Sequence, residues 1–263
     1  FYEELKRLKI NIHRPCINNC FAEFRSSKAK FYYALGAIKN VGFEAINQIV
    51  QEREKNGKFQ SISNFIERTD PKNINKLQLE GLVKAGAFDE LESNRQSLYE
   101  SIPNLIVTSK NIFENKLNNQ KDLFFEDNNK NSFPLTLIND WNFEDRLTKE
   151  FQSVGFFISG HPINEYKDVF YLYKIQNFNS FSQSTLDQGN LAATVLKIQE
   201  KKTQKGNSYA VVKFSDLGGI FELFIFSDIL ELNRNILTEG NSILITVLKD
   251  KNSSDNRFKR FNV

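Results

Sequence analysis

Apolar residues recur at helical spacing from Phe43 to Glu54, with Ala45, Ile46, Ile49 and Val50 on one face; Gly57 stops the run. Ser61 to Arg68 predicts a second helix that buries Ile62, Phe65 and Ile66. Asn75 to Ala85 predicts a third, with Leu77, Leu79, Leu82 and Val83 apolar and Gly86 as its stop. Ser93 to Val107 predicts a fourth, in which Asn94 precedes Leu98, Ile102, Leu105 and Ile106. Ahead of these, Tyr2, Leu5, Leu8 and Lys9 sit at helical spacing until Pro15 ends the run. Between 108 and 140 Asn and Lys dominate and periodicity fades, which predicts a poorly ordered linker with one apolar island, Leu123-Phe124-Phe125. Helical spacing returns over 143–157 (Phe143, Leu147, Phe151, Val154) and breaks between Gly155 and Pro162.

From residue 190 the period changes. Leu191, Ala193, Val195 and Ile198 fit one strand, Tyr209 to Phe214 a second and Ile220 to Phe226 a third, with turns at Lys205-Gly206-Asn207 and Gly218-Gly219. A short helix over Ser227–Leu237 precedes strands at Ser242–Leu248 and Arg257–Val263. Five short strands with one helix between the third and fourth follow the order of an OB-fold barrel. The fold class read from the pattern is a multidomain α + β chain: an all-helical part, then a five-stranded OB-fold barrel.

Composition narrows this reading. The chain has 263 residues, 40% hydrophobic and 25% charged, with 25 Phe, 12 Gly and 5 Pro, which fits a globular protein and not a fibrous or disordered one. No apolar run approaches the roughly 18 residues of a membrane helix. Two Cys cannot build a disulfide framework, so a reducing, cytoplasmic setting is the expectation. Phe at position 1 and the absence of Met suggest a portion of a longer chain. The net charge of +3 is small, but five Lys (197, 201, 202, 205 and 213) face one acid, Glu200, between Lys197 and Lys213. That cluster suits either a phosphate backbone or a solvated strand edge.

Three patterns carry candidate chemistry. In Leu35-Gly36-Ala37-Ile38-Lys39-Asn40-Val41-Gly42, two Gly bracket an apolar turn that opens a helix. Gly36 would permit a tight turn and Gly42 a close approach to phosphate, with the free amides and dipole of the helix start facing the anion. An ordinary helix-to-helix turn is the alternative. Gln120-Lys121-Asp122-Leu123-Phe124 sets two apolar anchors and a hydrogen-bonding Gln in a polar stretch, which suits docking into a partner's preformed pocket; the alternative is that Leu123, Phe124 and Phe125 fold back on the helices. On the barrel, Lys201, Lys202 and Lys205 with Tyr209, Phe214, Phe224 and Phe226 suit single-stranded nucleic acid, though strand parity requires some of these Phe to fill the core. His13, Cys16 and Cys20 have zinc-like spacing without a fourth ligand, and His161 lies in a turn without a nucleophile–acid pair. No Asp-x-Asp arrangement suited to two Mg²⁺ and no P-loop appears.

The segments ALGAIKNVG, NKLQLEGLVKAGAFDEL with Asn94-Arg95, QKDLF, KEFQSVGFFISGHPINEY and KKTQKGNSYAVVKFSDLGGIFELFIF stand in the order seen in bacterial DNA polymerase III alpha subunits, and the chain resembles that family over nearly its whole length. The resemblance implies a C-terminal portion of a DNA-directed DNA polymerase, a nucleotidyltransferase. It implies an end of the fingers region (1–33), a tandem helix-hairpin-helix domain (34–112), a flexible clamp-binding segment (113–138), a helical connector (139–174) and an OB domain (175–263). It further implies duplex backbone contact by Gly36, Ala37, Ile38, Lys39, Asn40, Val41 and Gly42. Sliding-clamp (beta subunit) binding falls to Gln120, Asp122, Leu123 and Phe124, and single-strand contact to Lys201, Lys202, Lys205, Tyr209 and Phe224. Partners would be double- and single-stranded DNA, the clamp and other replicative subunits, with no membrane. No catalytic residue and no cofactor is expected here, since the family's Mg²⁺-binding carboxylates lie upstream. Two departures stand out: Phe125 and acidic residues follow the clamp peptide where Gly is usual, and Lys213 precedes Phe214. A stand-alone DNA-binding module, or a ligase-like nucleotidyltransferase fragment, are the competing readings; the second would need a nucleotide-binding Lys motif that the sequence lacks.

Overall fold

The computed structural model describes residues 8–27, 30–118, 133–204, 206–249 and 261–262. The chain divides into two compact units, Phe1–Ser159 and Gly160–Val263.

The first unit opens with three short strands, β1 (Asn11–His13), β2 (Arg25–Ser27) and β3 (Lys30–Tyr32), in the order β1-β3-β2, with β1 parallel and β2 antiparallel to β3. The helical spacing read up to Pro15 is not realised within its described part. Lys9 sits at φ 56, a left-handed conformation that no α-helix continues through, and β3 captures residues 11–13 as a strand.

Helix α1 spans Phe43–Asn56 and stops at Gly57, whose φ of 82 favours glycine. Helix α2 (Ile62–Arg68) is capped by Ser61, whose Oγ accepts from the Asn64 amide at 3.1 Å. Helix α3 (Lys76–Lys84) is capped by Asn75 in the same way. Where one helix was expected over 93–107 there are two, α4 (Arg95–Glu100) and α5 (Ile102–Leu117). Pro103 is the reason: it has no amide to continue the ladder, so Ser101 ends one helix and begins the next.

Helix α5 also runs through residues 108–117, the start of the expected linker, because Leu105 and Ile112 are buried on the core. The other end of that stretch is extended but packed. The Phe133 amide donates to Ser63 Oγ at 2.6 Å, the Thr136 amide to Ser101 Oγ at 2.8 Å, and Asn94 Nδ2 to the Ile138 carbonyl at 2.7 Å. Phe133, Leu135 and Trp141 lie against the core. Helix α6 (Phe143–Val154) starts on an Asn142 cap and ends at Gly155, φ 88.

One core joins these pieces: Ile17, Cys20 and Tyr33 pack with Leu35, Ile46, Phe65, Leu82 and Ile102. Leu77, one of the apolar positions read on the third helix, is 58% exposed. A buried polar network ties α6 down. Glu150, 1% exposed, accepts from the amides of Ile158 and Ser159 at 2.9 and 2.8 Å and from Ser159 Oγ at 2.7 Å. Arg95 lies 3.7 Å from Glu150 and forms a two-pronged pair with Asp89 at 2.8 and 2.7 Å. A Cβ on Gly86, φ 76, would collide with that guanidinium.

In the second unit, helices α7 (Lys167–Leu172) and α8 (Phe178–Gln183) precede β4 (Gln188–Lys202), β5 (Ser208–Asp216), β6 (Gly219–Phe226), helix α9 (Ser227–Asn233), β7 (Ser242–Lys249) and β8 (Phe261–Asn262). The order is β6-β5-β4-β7-β8, all antiparallel. β4 is shared: residues 188–194 pair with β7 and residues 194–202 with β5. A bulge at Leu196 separates the halves, which is why Val195 and Ile198 are three apart yet both face inward. The sheet curls so that its end strands β6 and β8 approach each other, an OB-like half-barrel. Phe181, Val195, Phe214, Leu223 and Val247 fill it. Phe181 lies so close to β4 that any Cβ on Gly189 would overlap its ring.

Removing one member of a buried charge network strands its partner, at a cost of about 3–5 kcal/mol. Glu150→Ala should therefore lower unfolding free energy by about 3 kcal/mol in urea titrations, with Glu150→Gln losing less. An unchanged midpoint in the Ala variant would show that Arg95 and Ser159 do not depend on the carboxylate.

Candidate nucleic-acid interface

The hairpin octet splits by burial. Leu35, Ile38 and Val41 are buried in the core, while Ala37, Lys39, Asn40 and Gly42 are exposed. The apolar residues anchor the turn and leave the polar backbone outside. Leu35–Ala37 forms a single 3-10 turn, and Asn40 takes the one left-handed position of the loop, φ 65.

The two glycines differ in their surroundings. Gly36 is not needed for a special torsion. A Cβ there would meet the Ala22 carbonyl at 2.7 Å and Phe43 at 3.2 Å, and its amide already donates to that carbonyl at 3.1 Å. It is a packing position. Gly42, with φ −76, is also free of torsional strain, and nothing lies closer than 3.9 Å to the place of its Cβ. It leaves open space above the start of α1. Among the described residues, the amides of Asn40, Gly42, Phe43 and Glu44 find no acceptor in the protein, and Gly42 supplies no side-chain cap. These amides lie in exposed backbone at the positive dipole end of α1, the arrangement that receives a phosphate. Glu44 in the first turn suits the dipole but would repel that phosphate.

Two contacts outside the octet hold it. The Lys39 amide donates to the Ser153 carbonyl at the end of α6 at 2.9 Å. On the other side α3 presses against the loop at Gly81, where a Cβ would meet the Lys39 carbonyl at 2.7 Å. The reading of the sequence missed Gly81; a glycine inside an otherwise apolar helical run was the available signal. Lys39, Asn40, Glu80, Lys84 and Gln152 line a cleft of about 180 Å³ beside the loop.

On the sheet, register sorts the basic and aromatic residues. Lys201 stands opposite Tyr209, which stands opposite Phe226; the next rows are Gln199-Val211-Phe224 and Lys197-Lys213-Glu222. These rows form the outer face of β4–β6. Phe224 and Phe226 are 52% and 53% exposed, and the Tyr209 and Phe224 rings lie 6.4 Å apart. Lys202 pairs with Ser208 in the row that alternates with these, on the other face. Phe214 is fully buried and cannot stack on a base, whereas Phe226 is as open as Phe224. Gln120, Asp122, Leu123, Phe124 and Lys205 lie outside the described residues.

The weaker candidates have structural roles. Cys20 donates to the Arg14 carbonyl at 3.2 Å, and burial pushes its thiol up to about 12, so it stays protonated. His161 caps a 3-10 turn through Nδ1, which accepts from the Ile163 amide, and its Nε2 lies 3.0 Å from Ser215 Oγ.

An outward loop with free amides before a helix, followed in the chain by an OB-like sheet, defines a helix-hairpin-helix DNA-binding class of protein. A family model described as a helix-hairpin-helix motif matches residues 9–98. Among curated relatives, the DNA polymerase III subunit alpha of Borreliella burgdorferi is 34% identical over 256 residues, 92% of this chain and 22% of that protein. The Caulobacter vibrioides subunit is 29% identical over 261 residues, 98% and 23%, and that of Rickettsia prowazekii 37% over 203 residues, 74% and 17%. The chain belongs to the DNA polymerase III alpha family, and it spans about a fifth of the length of the relatives it matches. Among the described residues no helix is long and apolar enough to cross a membrane.

The two loop glycines give a paired test. Gly42→Ala has room and should leave stability within about 1 kcal/mol while weakening duplex binding in fluorescence anisotropy. Gly81→Ala should lower both, because the Lys39 carbonyl must move. Equal duplex affinity in Gly42→Ala would argue against close backbone approach there.

Proposed function

We propose that the chain is the C-terminal segment of a replicative DNA polymerase alpha subunit and supports processive synthesis by holding DNA and a sliding clamp while an upstream site polymerises. The observation that carries this reading is the Ala37–Gly42 loop, with its outward amides clamped between α3 and α6. Ala37, Lys39, Asn40 and Gly42 would meet duplex phosphate; Gly36, Ile38 and Val41 would shape the turn from behind. Backbone contact of this kind carries no sequence preference and weakens with salt.

In this reading Gln120, Asp122, Leu123 and Phe124 bind the clamp. Residues on both sides of that peptide are anchored to α2: Lys116 Nζ donates to the Glu67 carbonyl at 2.6 Å, and the Phe133 amide to Ser63 Oγ. Ser63 and Glu67 are four residues apart on α2, about 6 Å along its axis, so the chain leaves and re-enters the helical unit at neighbouring points. A second weak site on a ring threaded by the same DNA raises apparent affinity by roughly 10²–10⁴ through effective concentration. On the OB-like sheet, Lys201, Tyr209 and Phe224, joined by Phe226 and Lys213, form the face suited to single-stranded template. The division into fingers end, hairpin domain, clamp segment, connector and OB domain belongs to this proposal, as do Mg²⁺-dependent polymerisation by the whole protein and its cytoplasmic setting.

The first test is binding of the chain to a bacterial sliding clamp. Leu123→Ala with Phe124→Ala should abolish it, and unchanged binding would remove the clamp assignment. For the sheet, Phe224→Ala should cost about 1–3 kcal/mol of oligo(dT) affinity. Lys201→Glu should weaken it further than Lys202→Glu, since only Lys201 shares the aromatic face; equal effects would place the strand elsewhere.

A further inference from the structure

A second cleft, of about 560 Å³, lies between the N-terminal strands and the end of α1 and shares no lining residue with the hairpin loop. Its basic lining is Arg25, Arg53 and Lys58, its aromatic wall Phe21 and Tyr32, and Ser26 and Ser27 supply hydroxyls. Two guanidinium groups converge there on one ring: Arg25 sits 4.0 Å and Arg53 5.2 Å from the Phe21 centroid.

Arg53 is 6% exposed, and one of its terminal nitrogens donates to the carbonyls of Ile17 and Cys20, both at 2.7 Å. Those bonds occupy one of its three nitrogens and do not neutralise its charge. Among the described residues no carboxylate forms an ion pair with it. Burial is the largest influence on Arg53 and lowers its pKa; Arg25 lowers it further, while Glu54 and the thiols of Cys20 and Cys16 act the other way. Arg95, the other buried arginine among the described residues, has Asp89 and Glu150 beside it. Among the described residues, acids on or beside the cleft are Glu54, exposed on its lining, Glu23, which pairs with Arg25 at 3.2 Å with both side chains about half exposed, and Glu90, which accepts from Nδ2 of the lining Asn19 at 2.7 Å. Lys58 reaches only a neutral partner, Asn19 Oδ1, at 2.8 Å. Like charges gathered around a low-dielectric wall repel one another unless an anion joins them.

We propose that this cleft is an anion site that takes a phosphate group, carried by a nucleotide or by a nucleic-acid strand. Arg25 and Lys58 present donors at the open side, and Arg53 supplies buried positive charge from beneath. The volume admits more than a bare phosphate, and Phe21 and Tyr32 give an apolar wall for a sugar or base. The site is separate in residues from the Ala37–Gly42 loop, so it stands or falls independently of the duplex reading.

The test is calorimetric titration of the 263-residue chain with pyrophosphate, dATP and a short oligo(dT) at low salt. Arg25→Ala with Lys58→Ala, both surface positions, should weaken binding by about tenfold or more, as loss of charge-assisted hydrogen bonds requires. Glu54→Gln should strengthen it. Binding of dATP and pyrophosphate would identify a nucleotide phosphate as the ligand. Binding of the oligonucleotide alone, with the same sensitivity to Arg25 and Lys58, would identify a strand. No binding by any of the three, or equal binding by the double variant, would overturn the site while leaving the hairpin reading intact.

Discussion

The first unit depends on one buried carboxylate. Glu150 holds the amides of Ile158 and Ser159 and stands against Arg95, which in turn grips Asp89 just past the end of α3. A carboxylate with 1% exposure is tolerated only where charge and donors surround it. By meeting that demand, α4, α6 and the α3 exit are fixed in one arrangement. The end of α6 then offers the Ser153 carbonyl to Lys39, and α3 offers the flat surface of Gly81 to the other side of the same peptide. The geometry of the hairpin loop is thus set by a polar network that touches none of its side chains.

That arrangement explains how an exposed turn can be rigid enough to present amides. A helix start with free N–H groups attracts anions anywhere, but weakly and without direction. Here Leu35, Ile38 and Val41 sink into the core while flanking hydrogen bonds hold the peptide between them, so the amides of Asn40, Gly42, Phe43 and Glu44 stay in place without a partner in the protein. Pre-ordered donors lose little freedom on binding. The OB-like sheet reaches a similar end by another route. Its bulge at Leu196 lets one long strand serve two pairings, and the resulting register collects Lys201, Tyr209 and Phe226 into one row.

Phosphate contacts in such a chain are individually weak and salt-sensitive. In the proposed reading, several of them distributed over one segment, with a peptide site for a ring on the same DNA, would give retention without sequence preference. The second cleft fits the same economy of charge: Arg53 is buried for the sake of two carbonyls, and its unneutralised charge makes the neighbourhood receptive to an anion.

What the sequence determined by itself was local. The helices that open at Ser61 and Asn75, the stop at Gly57, the break at Gly155 and the alternation of β6 all act over three or four residues, and each was readable from spacing. So was the order of helical part and OB-like sheet. Tertiary structure decided the rest, because it depends on which distant group arrives at a given point. β3 turned residues 11–13 from expected helix into strand; the core drew α5 through a polar stretch that composition alone reads as linker. Gly36 and Gly42 look equivalent in the sequence, yet one is filled by the Ala22 carbonyl and the other faces open space. Lys201 and Lys202 are adjacent, and only strand pairing puts one beside the aromatic residues and the other on the opposite face. Spacing can specify a face, but burial and pairing by remote segments choose which face does the work.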